Sequence, residues 1–298
     1  MKYISVKQAA ELWSLSERSV RNYCSQGRIE GAFLTGKTWN IPENATKPTR
    51  VATAKKAPST LAEILADEMQ TGRKGGIYHK IQVELTYNSN HMEGSRLTAD
   101  QTRYIFETNT ISVLKDETIN VDDIIETSNH FRCIDLIIEN RSKKLSEAFI
   151  KELHRVLKSG TSDSRKAWFA VVDYKKQPNE VGGEITALPR DVHAEMRRLL
   201  TEYENGAPKT LEDIAEFHAR FEKIHPFQDG NGRVGRLIMF KECLRYSVVP
   251  FIIDASIKLL YYNGLKNWDS QHGYLIRTCL LAQDAFREMM GYFEITEV

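Results

Sequence analysis

The chain has 298 residues with 41 basic and 40 acidic side chains, so it is nearly neutral and long enough for one large or two modest domains. No run of about 18 apolar residues occurs and the first residues lack an apolar core, which predicts neither a membrane span nor a secretory signal peptide. The four cysteines are scattered without a Cys-x-x-Cys pair, a pattern typical of reduced thiols in a cytoplasmic protein and not of a disulfide framework or a zinc site.

The neutral total conceals a basic N-terminal block. Residues 1–58 carry ten lysines and arginines against four acids, whereas the remainder carries 31 basic and 36 acidic residues. A basic block ahead of an acidic body indicates contact with nucleic acid.

Residues 1–45 have the pattern of a small folded module. The predicted elements, in chain order, are a helix capped by Ser5, a helix over residues 17–26 capped by Ser16, and strands over residues 29–33 and 38–41. Their order resembles the winged helix-turn-helix of excisionase and MerR-type DNA-binding domains. Residues 46–60 are rich in Pro, Ala, Thr and Lys without periodicity, which predicts a linker.

The winged-helix resemblance implies a set of DNA-binding residues. Lys37 would contact the DNA backbone. The residues that would face the major groove are Arg18, Ser19, Arg21 and Asn22. The alternative is a module that mediates protein contacts or anchors a dimer. A single module of this kind binds DNA weakly, so DNA binding would require a homodimer.

Helices are predicted to follow the linker. Apolar spacing, a capping box and a proline at the first helical position indicate helices over residues 61–70, 78–87, 121–140 and 145–158, one capped by Thr98 with Gln101, and one that runs from Pro189 to Tyr203. His91, His130 and His154 show no metal-ligand spacing among themselves, so we interpret them as ordinary surface or core histidines.

Residues 168–189 break the helical pattern. Val171-Val172, Val181 and Ile185 alternate with polar residues around Gly182-Gly183, which predicts a β-hairpin.

The most informative stretch runs from His225 to Arg236 and reads His-Pro-Phe-Gln-Asp-Gly-Asn-Gly-Arg-Val-Gly-Arg. Apolar residues at helical spacing flank it on both sides. Its glycines let the backbone approach a ligand closely, and a helix start offers N–H groups and a positive dipole end to an anion. Arg233 and Arg236, one turn apart, add positive charge. With Asp229 as a hard-metal ligand and His225 as a general base, the stretch suits phosphoryl chemistry.

The whole stretch resembles, position by position, the signature His-x-Phe-x-(Asp/Glu)-Gly-Asn-Gly-Arg-x-x-Arg of Fic-domain proteins. The resemblance implies a mostly α-helical Fic-type core with a β-hairpin flap over residues 61–298, which transfers AMP from ATP to a protein hydroxyl. His225 would take the proton from the target hydroxyl, and Asp229 would bind Mg²⁺. The residues implied in holding the phosphates are Gly230, Asn231, Gly232, Arg233 and Arg236.

The segment from Ser89 to Gly94 is interpreted differently when it precedes such a core. By itself it is the frayed end of a helix, with Glu93 on the surface. It resembles the family's inhibitory (Ser/Thr)-x-x-x-Glu-(Gly/Asn) motif, here in a helix over residues 78–94 ahead of the core. The resemblance implies that Glu93 pairs with Arg236 at the place of the ATP γ-phosphate, because a carboxylate mimics a phosphate oxygen to a guanidinium. The same glutamate could position water for removing AMP, and the sequence leaves both roles open.

The resemblance implies two further contacts, one with the target and one with adenine. The flap residues that would hold an extended target segment by strand-like bonds are Gly183, Glu184, Ile185 and Thr186. Tyr262 would stack on the adenine, although aromatic residues at helical positions are more often part of the core. His218, with His225 and Asp229, is an alternative metal site, but a hydrogen-bonded core His218 is favoured because Mg²⁺ prefers oxygen ligands.

The sequence therefore supports two compatible functions. The first is a Mg²⁺-dependent protein adenylyltransferase, held off by Glu93, that modifies a Ser, Thr or Tyr hydroxyl of a target or of itself. The second is a DNA-binding transcriptional regulator whose Fic core senses nucleotide or modifies only its own chain.

Overall fold

The computed structural model describes residues 2–49, 59–113, 118–206 and 208–298. The chain divides into two compact units, residues 1–57 and residues 58–298. The division falls within the predicted linker over residues 46–60, of which residues 50–58 lie outside the described part.

The N-terminal unit contains a three-stranded antiparallel sheet and two helices. Its elements are β1 (Tyr3–Ser5), α1 (Val6–Trp13), α2 (Glu17–Ser25), β2 (Phe33–Thr35) and β3 (Thr38–Pro42). The strand order is β1-β3-β2. The predicted caps are confirmed, because the side chains of Ser5 and Ser16 accept hydrogen bonds from the backbone N–H groups of Gln8 and Ser19.

Two strand assignments in this unit differ from expectation. The strand predicted over residues 29–33 is wrong: it begins only at Phe33, because Ile29 is buried in the core of the unit at a bend. β1 was not predicted, since three residues are too few to show an alternating pattern. It forms because Tyr3 and Ile4 pair with Pro42 and Ile41 of β3.

The C-terminal unit is mostly helical. Its helices are α3 (Leu61–Thr71), α4 (Ile77–Met92), α5 (Ala99–Thr108), α6 (Val121–Glu139), α7 (Glu147–Lys158), α8 (Pro189–Glu204), α9 (Leu211–Ile224), α10 (Asn231–Tyr246), α11 (Lys258–Lys266) and α12 (Gly273–Tyr292). The capping box of Thr98 and Gln101 is confirmed. α7 begins two residues later than predicted, because the Ser146 side chain accepts from the Phe149 N–H and caps it.

α10 is the central helix of this unit. It packs against α4, α6, α7 and α9, and nearly every side chain along it is buried, including charged ones such as Lys241 and Glu242. A helix surrounded on all sides holds its first turn in a defined position. That first turn carries the signature residues.

The hairpin is shorter than predicted. It consists of β4 (Glu180–Val181) and β5 (Glu184–Ile185), joined at Gly182-Gly183. Both glycines have positive φ, a conformation that other residues adopt at a cost. Val171 and Val172 lie outside the strands, so their predicted place in the hairpin is wrong.

Candidate active site

The loop between α9 and α10 is held in an unusual backbone conformation. His225 has φ 50° and ψ 61°, the left-handed region, and its N–H donates to the Phe221 carbonyl at 2.9 Å to end α9. Gly230 has φ 82° and precedes the first residue of α10. A non-glycine residue in this region costs free energy and persists only where the surroundings hold it. The backbone conformation of the loop therefore fixes the position of the His225 imidazole.

Three side chains fasten this loop from inside. Phe227 is fully buried. The Asn231 amide accepts from the Phe227 N–H and donates to the Phe227 carbonyl, both at 2.8 Å. His154 stacks on Phe227 with centroids 3.9 Å apart, while its Nε2 lies 3.1 Å from the Asp229 carbonyl oxygen. His154 is thus a core histidine with a specific task, because it supports the loop that carries the signature.

The start of α10 is covered by the end of α4. Arg236 Nη2 donates to Glu93 Oε1 at 2.7 Å and to the Ser89 carbonyl at 2.9 Å, and its Nε donates to Ser89 Oγ at 3.0 Å. The Glu93 carboxylate lies directly against Gly232, where a side chain would collide with it. The first N–H groups of a helix have no acceptor within the helix. Glu93 therefore occupies the position where an anion would bind at this helix start.

The charge states agree with this arrangement. Although burial opposes ionisation, the Arg236 guanidinium holds the pKa of Glu93 below its usual range. Arg236 is buried, yet Glu93 keeps its pKa raised above that of a free guanidinium. The contact is an ion pair in which Arg236 also donates hydrogen bonds to Ser89, the geometry in which a buried pair holds together.

Asp229 belongs to a second, separate charge cluster. Its Oδ2 accepts from Lys158 Nζ at 2.7 Å and from Arg233 Nη2 at 3.1 Å. Lys158 also donates to Glu126 at 2.5 Å and Asp163 at 3.1 Å, and Arg233 pairs with Glu126. Burial disfavours the charged form of Asp229, but Arg233 and Lys158 hold its pKa well below the usual range. The guanidinium of Arg233 is engaged with carboxylates in this structure, and its contact with phosphate stays a prediction.

Asp229 suits a hard metal ion. Its carboxylate is ionised and its side chain is 46% exposed, which leaves one edge open to the solvent side of the loop. Within the described residues, no group of three or more His, Cys, Asp or Glu side chains could hold a metal. Mg²⁺ is typically bound by one or two carboxylates together with substrate phosphates and water, so one exposed carboxylate beside an anion site fits that ion.

His225 has the protonation state of a base. Burial and the nearby Lys175 ammonium lower the pKa of His225 to about 4, so the imidazole is neutral at pH 7. Its Nδ1 lies 3.9 Å from Oε2 of Glu222, a side chain only 12% exposed. Burial, reinforced by Glu93, raises the pKa of Glu222 to about 8, so this carboxyl is protonated at neutral pH.

The other predicted residues of the site are distributed as follows. His218 is buried, and its Nε2 lies 2.7 Å from the Tyr261 hydroxyl oxygen, which confirms the core assignment over the metal alternative. Tyr262 is 39% exposed, and its hydroxyl donates to the Met92 carbonyl at 3.3 Å, one residue from Glu93. It therefore borders the anion site.

The predicted flap residues divide into two groups. Gly183, Glu184 and Ile185 are exposed, with Ile185 at 77%. Thr186 is buried and hydrogen-bonded to Lys175 and Asn179, so it serves the base of the hairpin and does not face solvent.

The predicted DNA-binding residues lie on one helix and on the turn of the sheet. Arg18, Arg21 and Asn22 of α2 are exposed, and Arg21 pairs with Glu17 at 2.6 Å. Ser19 is half-buried, with its hydroxyl 2.9 Å from that of Ser16. The fifth residue, on the exposed β2–β3 turn, is Lys37.

Several members of the site were not predicted. Lys158, Glu126, Lys175 and Glu222 contribute charges or hydrogen bonds around the signature loop. The cysteines at positions 24, 133, 243 and 279 are all buried and unpaired, in agreement with reduced thiols. In the described part of the chain, no helix is both long and apolar enough to span a bilayer.

Comparison with known proteins agrees with this geometry. Residues 144–243 match the family model described as the Fic/DOC family. The chain is 28% identical over 189 residues to the protein adenylyltransferase Fic of Drosophila mojavensis, covering 60% of this chain and 35% of that protein. It is 26% identical over 190 residues to the protein of the same name from Nematostella vectensis, covering 63% and 43%. The chain thus spans less than half the length of these relatives.

Solved structures show the same fold. A Fic domain containing signaling protein from Bacteroides thetaiotaomicron superposes with a TM-score of 0.58 at 27% identity, covering 76% of this chain and 97% of that one. Fic-1 from C. elegans superposes with a TM-score of 0.56 at 20% identity, covering 77% and 69%, and supports the fold alone. The fold and the signature loop agree with the match of residues 144–243 to the Fic/DOC family model.

Proposed function

We propose that this protein is a Mg²⁺-dependent adenylyltransferase that transfers AMP from ATP to a hydroxyl of a protein target or of its own chain. The observation that carries the proposal is one juxtaposition. A neutral His225, an ionised Asp229 and the buried Arg236 surround the start of α10, where backbone N–H groups and the helix dipole favour an anion.

Each residue has a role that follows from its environment. His225 accepts the proton of the target hydroxyl, since a neutral imidazole is the state that a general base requires. The hydroxyl oxygen then attacks the α-phosphorus and pyrophosphate leaves. Arg236 holds the terminal phosphate, together with the amides of Gly230, Asn231 and Gly232. Arg233 and Lys158 orient the carboxylate of Asp229.

Asp229 is the residue that would hold Mg²⁺. When bound, the ion would supply positive charge that offsets the charge of the phosphates and favours departure of pyrophosphate. Asp229 is ionised at neutral pH because of its two cationic neighbours, so it is available as a ligand there.

We propose that Glu93 holds the enzyme in an inactive state. Its carboxylate pairs with Arg236 and covers Gly232, the place that the γ-phosphate would take. Both N–H groups of Arg236 Nη2 are already engaged, by Glu93 Oε1 and by the Ser89 carbonyl, so a phosphate oxygen could bind there only by displacing Glu93. ATP would bind productively only after the end of α4 has moved or the Glu93 side chain has rotated. Removal of AMP from a modified target is the second role open to Glu93.

The target would add to the exposed edge of the hairpin. Glu184 and Ile185 offer backbone groups that can pair with an extended segment, which is recognition by β-augmentation. Tyr262 is placed beside Glu93, where its ring would contact the adenine. We place this activity in the cytoplasm, consistent with four unpaired thiols.

The test is transfer of label from α-labelled ATP in the presence of Mg²⁺. We expect weak labelling of the native chain, strong labelling of Glu93→Gly, and loss of labelling when His225→Ala is added. Labelling with UTP, CTP or GTP but not ATP would keep the mechanism and change the substrate. If no nucleotide labels any variant, the adenylyltransferase proposal is wrong.

A second function is supported by the N-terminal unit. Residues 2–49 form two capped helices and an antiparallel sheet with a turn at Lys37, and α2 presents Arg18, Arg21 and Asn22 to solvent. We propose that this unit binds DNA as part of a homodimer, so that the protein is a transcriptional regulator with a catalytic Fic domain.

A further inference from the structure

The flap and the signature loop meet at one buried lysine. Lys175 is 3% exposed, and its Nζ donates to Asn179 Oδ1 at 2.6 Å, to Thr186 Oγ1 at 2.7 Å and to the Ile224 carbonyl at 3.3 Å. Its backbone N–H donates to the Pro226 carbonyl at 2.8 Å. Lys175 therefore contacts the residues immediately before and after His225 as well as both ends of the hairpin.

The hairpin is closed at its base by the same residues. Asn179 precedes β4 and Thr186 follows β5, and the Thr186 hydroxyl donates to the Asn179 carbonyl at 2.8 Å. The Asn179 amide also donates to the Phe227 carbonyl at 3.0 Å, which ties the hairpin to the loop a second time. We call Lys175, Asn179 and Thr186 the flap clasp. The clasp is buried or half-buried, whereas the strands above it are exposed.

The hydrogen bonds of the clasp explain why a lysine, and not an apolar residue, occupies position 175. The three acceptors of its ammonium are neutral oxygens from three segments, and burial lowers the pKa of Lys175 to about 8. Burying an ammonium costs free energy that an apolar side chain of the same length would not cost. A packing role alone would favour such an apolar residue. A lysine instead supplies three donors from one atom, which can join three segments at a point.

We propose that Lys175 is a positioning residue that couples the target-binding flap to the catalytic His225. An extended target segment paired to the exposed edge of β5 would be carried by a hairpin whose base is bonded to the two peptide groups flanking His225. The target hydroxyl and the base are thereby placed relative to one another. This inference rests on the proposed transferase function and adds the residue that links target binding to the chemistry.

The test compares matched variants in the Glu93→Gly background of the full-length chain. Lys175→Met removes the donors and keeps the length of the side chain. Lys176→Met changes the exposed neighbouring lysine and is the control. Thr186→Val removes the hydroxyl of the clasp, whereas Thr186→Ser retains it. For each variant we measure transfer from α-labelled ATP, affinity for ATP with Mg²⁺, thermal unfolding, and hydrogen–deuterium exchange of residues 177–188 and 224–229.

We expect Lys175→Met to lower label transfer by on the order of 100-fold, since small misplacements of a reacting group have effects of that size. Its ATP affinity should remain within about twofold, because none of the hydrogen bonds of Lys175 goes to Arg236 or to the first turn of α10, which would hold the phosphates. Exchange should rise in both measured segments together. Thr186→Val should show the same pattern more weakly, and Thr186→Ser and Lys176→Met should behave like the parent.

Two results would overturn the proposal. One is Lys175→Met and Thr186→Val variants that fold and transfer label as the parent does. The other is faster exchange in residues 177–188 with no change in residues 224–229, which would show that the flap and the loop are not coupled. If the parent itself transfers no label, the transferase proposal fails, whereas the exchange measurement still decides whether the clasp joins the two segments.

Discussion

At the scale of single residues, the most unusual group is the buried carboxyl of Glu222. Its Oε1 has no hydrogen-bond partner among the described residues, and its other oxygen lies 3.9 Å from His225 Nδ1. Burial is the main cause of its pKa of about 8, and the charge of Glu93 adds to it. Such perturbed groups concentrate at functional sites, and this one lies on the last turn of α9, next to the signature loop.

The raised pKa predicts a loss of stability as the pH rises. In the unfolded chain the carboxyl of Glu222 ionises above about pH 4.5, whereas in the folded state it stays protonated until about pH 8. The folded state thus binds more protons over this interval, and its free energy of unfolding falls with increasing pH. Glu222→Gln removes this dependence, so its stability relative to the native chain should grow between pH 5 and pH 8 by on the order of 3 kcal/mol.

Urea unfolding at pH 5, 6.5 and 8 measures this difference. Glu216→Gln is the control, because Glu216 lies on the same helix with a side chain 54% exposed and pairs weakly with Arg220 at 3.5 Å. Its effect should stay within about 0.5 kcal/mol at each pH. A constant difference between Glu222→Gln and the native chain across the three pH values would contradict the prediction.

Lys158 gives a second prediction at this scale. Its ammonium is 3% exposed and donates to Glu126, Asp163 and Asp229. Lys158→Met leaves these carboxylates without their shared cation, so we expect a loss of about 3–5 kcal/mol in the free energy of unfolding. Lys166→Met, which removes an exposed lysine that also pairs with Asp163 at 2.6 Å, should cost less than about 1 kcal/mol. Equal effects of the two variants would show that the buried network contributes little.

The sequence predicted the signature residues but not their buried partners. His225, Asp229 and Arg236 stand in one contiguous stretch, so their spacing carries the information. Lys158 lies 71 residues from Asp229 in the chain, and only the packing of α7 against α10 brings the two together. The contact between Glu93 and Arg236 spans 143 residues and was predicted only through a family motif.

At the scale of secondary-structure elements, α4 has an N-terminus that is capped by another helix. Its N-cap residue is Gly76, which has no side chain to serve as a cap. The buried Glu68 of α3 accepts instead from the Tyr78 N–H at 2.9 Å, and its carboxylate fills the space that a side chain on Gly76 would need. A carboxylate at a helix start satisfies free N–H groups and complements the dipole. Glu68 thereby anchors the helix that carries Ser89 and Glu93.

This arrangement predicts that Glu68→Ala destabilises the C-terminal unit by about 1–2 kcal/mol, the usual cost of losing a helix cap. Glu84→Ala on α4 is the matched control. Glu84 forms an exposed pair with Lys80 at 2.6 Å, four residues apart, and its loss should cost about 0.5 kcal/mol or less. Chemical denaturation of both variants at pH 7 measures the two costs. If Glu84→Ala lowered the free energy of unfolding more than Glu68→Ala did, the interhelical cap would not contribute to stability as proposed.

Local signals account for the elements that the sequence predicted well. Two such signals are the capping box of Thr98 and Gln101 and the proline that begins α8. They act within three residues, so they can be recognised from the sequence without knowledge of the fold. Elements that depend on distant partners were missed or misplaced. β1 exists only because β3 pairs with it, and the cap on α4 comes from α3.

At the scale of the whole molecule, the two units carry opposite charge. Residues 1–58 hold ten basic and four acidic side chains, whereas the rest of the chain holds 31 basic and 36 acidic ones. The composition alone therefore predicted a domain boundary. The change in composition over residues 46–60 coincides with the division of the fold after residue 57. What the composition cannot reveal is which face of the basic unit is exposed. In the structure, the basic residues of α2 and of the β2–β3 turn, Arg18, Arg21 and Lys37, are exposed.

Charge separation of this kind predicts how binding of DNA should respond to salt. If α2 contacts phosphates, each contact releases counterions and steepens the fall of affinity with salt concentration. For the full-length chain and a random-sequence duplex, the double variant Arg18→Ala, Arg21→Ala should bind more weakly and lower the slope of log K against log salt by about 1–2. Arg190→Ala, at an arginine 80% exposed in the C-terminal unit, is the control and should leave affinity and slope unchanged. Retention of the duplex by the double variant with the native slope would mean that α2 is not the DNA-binding surface. Loss of binding in Arg190→Ala to the same degree would mean that the attraction is a property of the whole surface and not of the N-terminal unit.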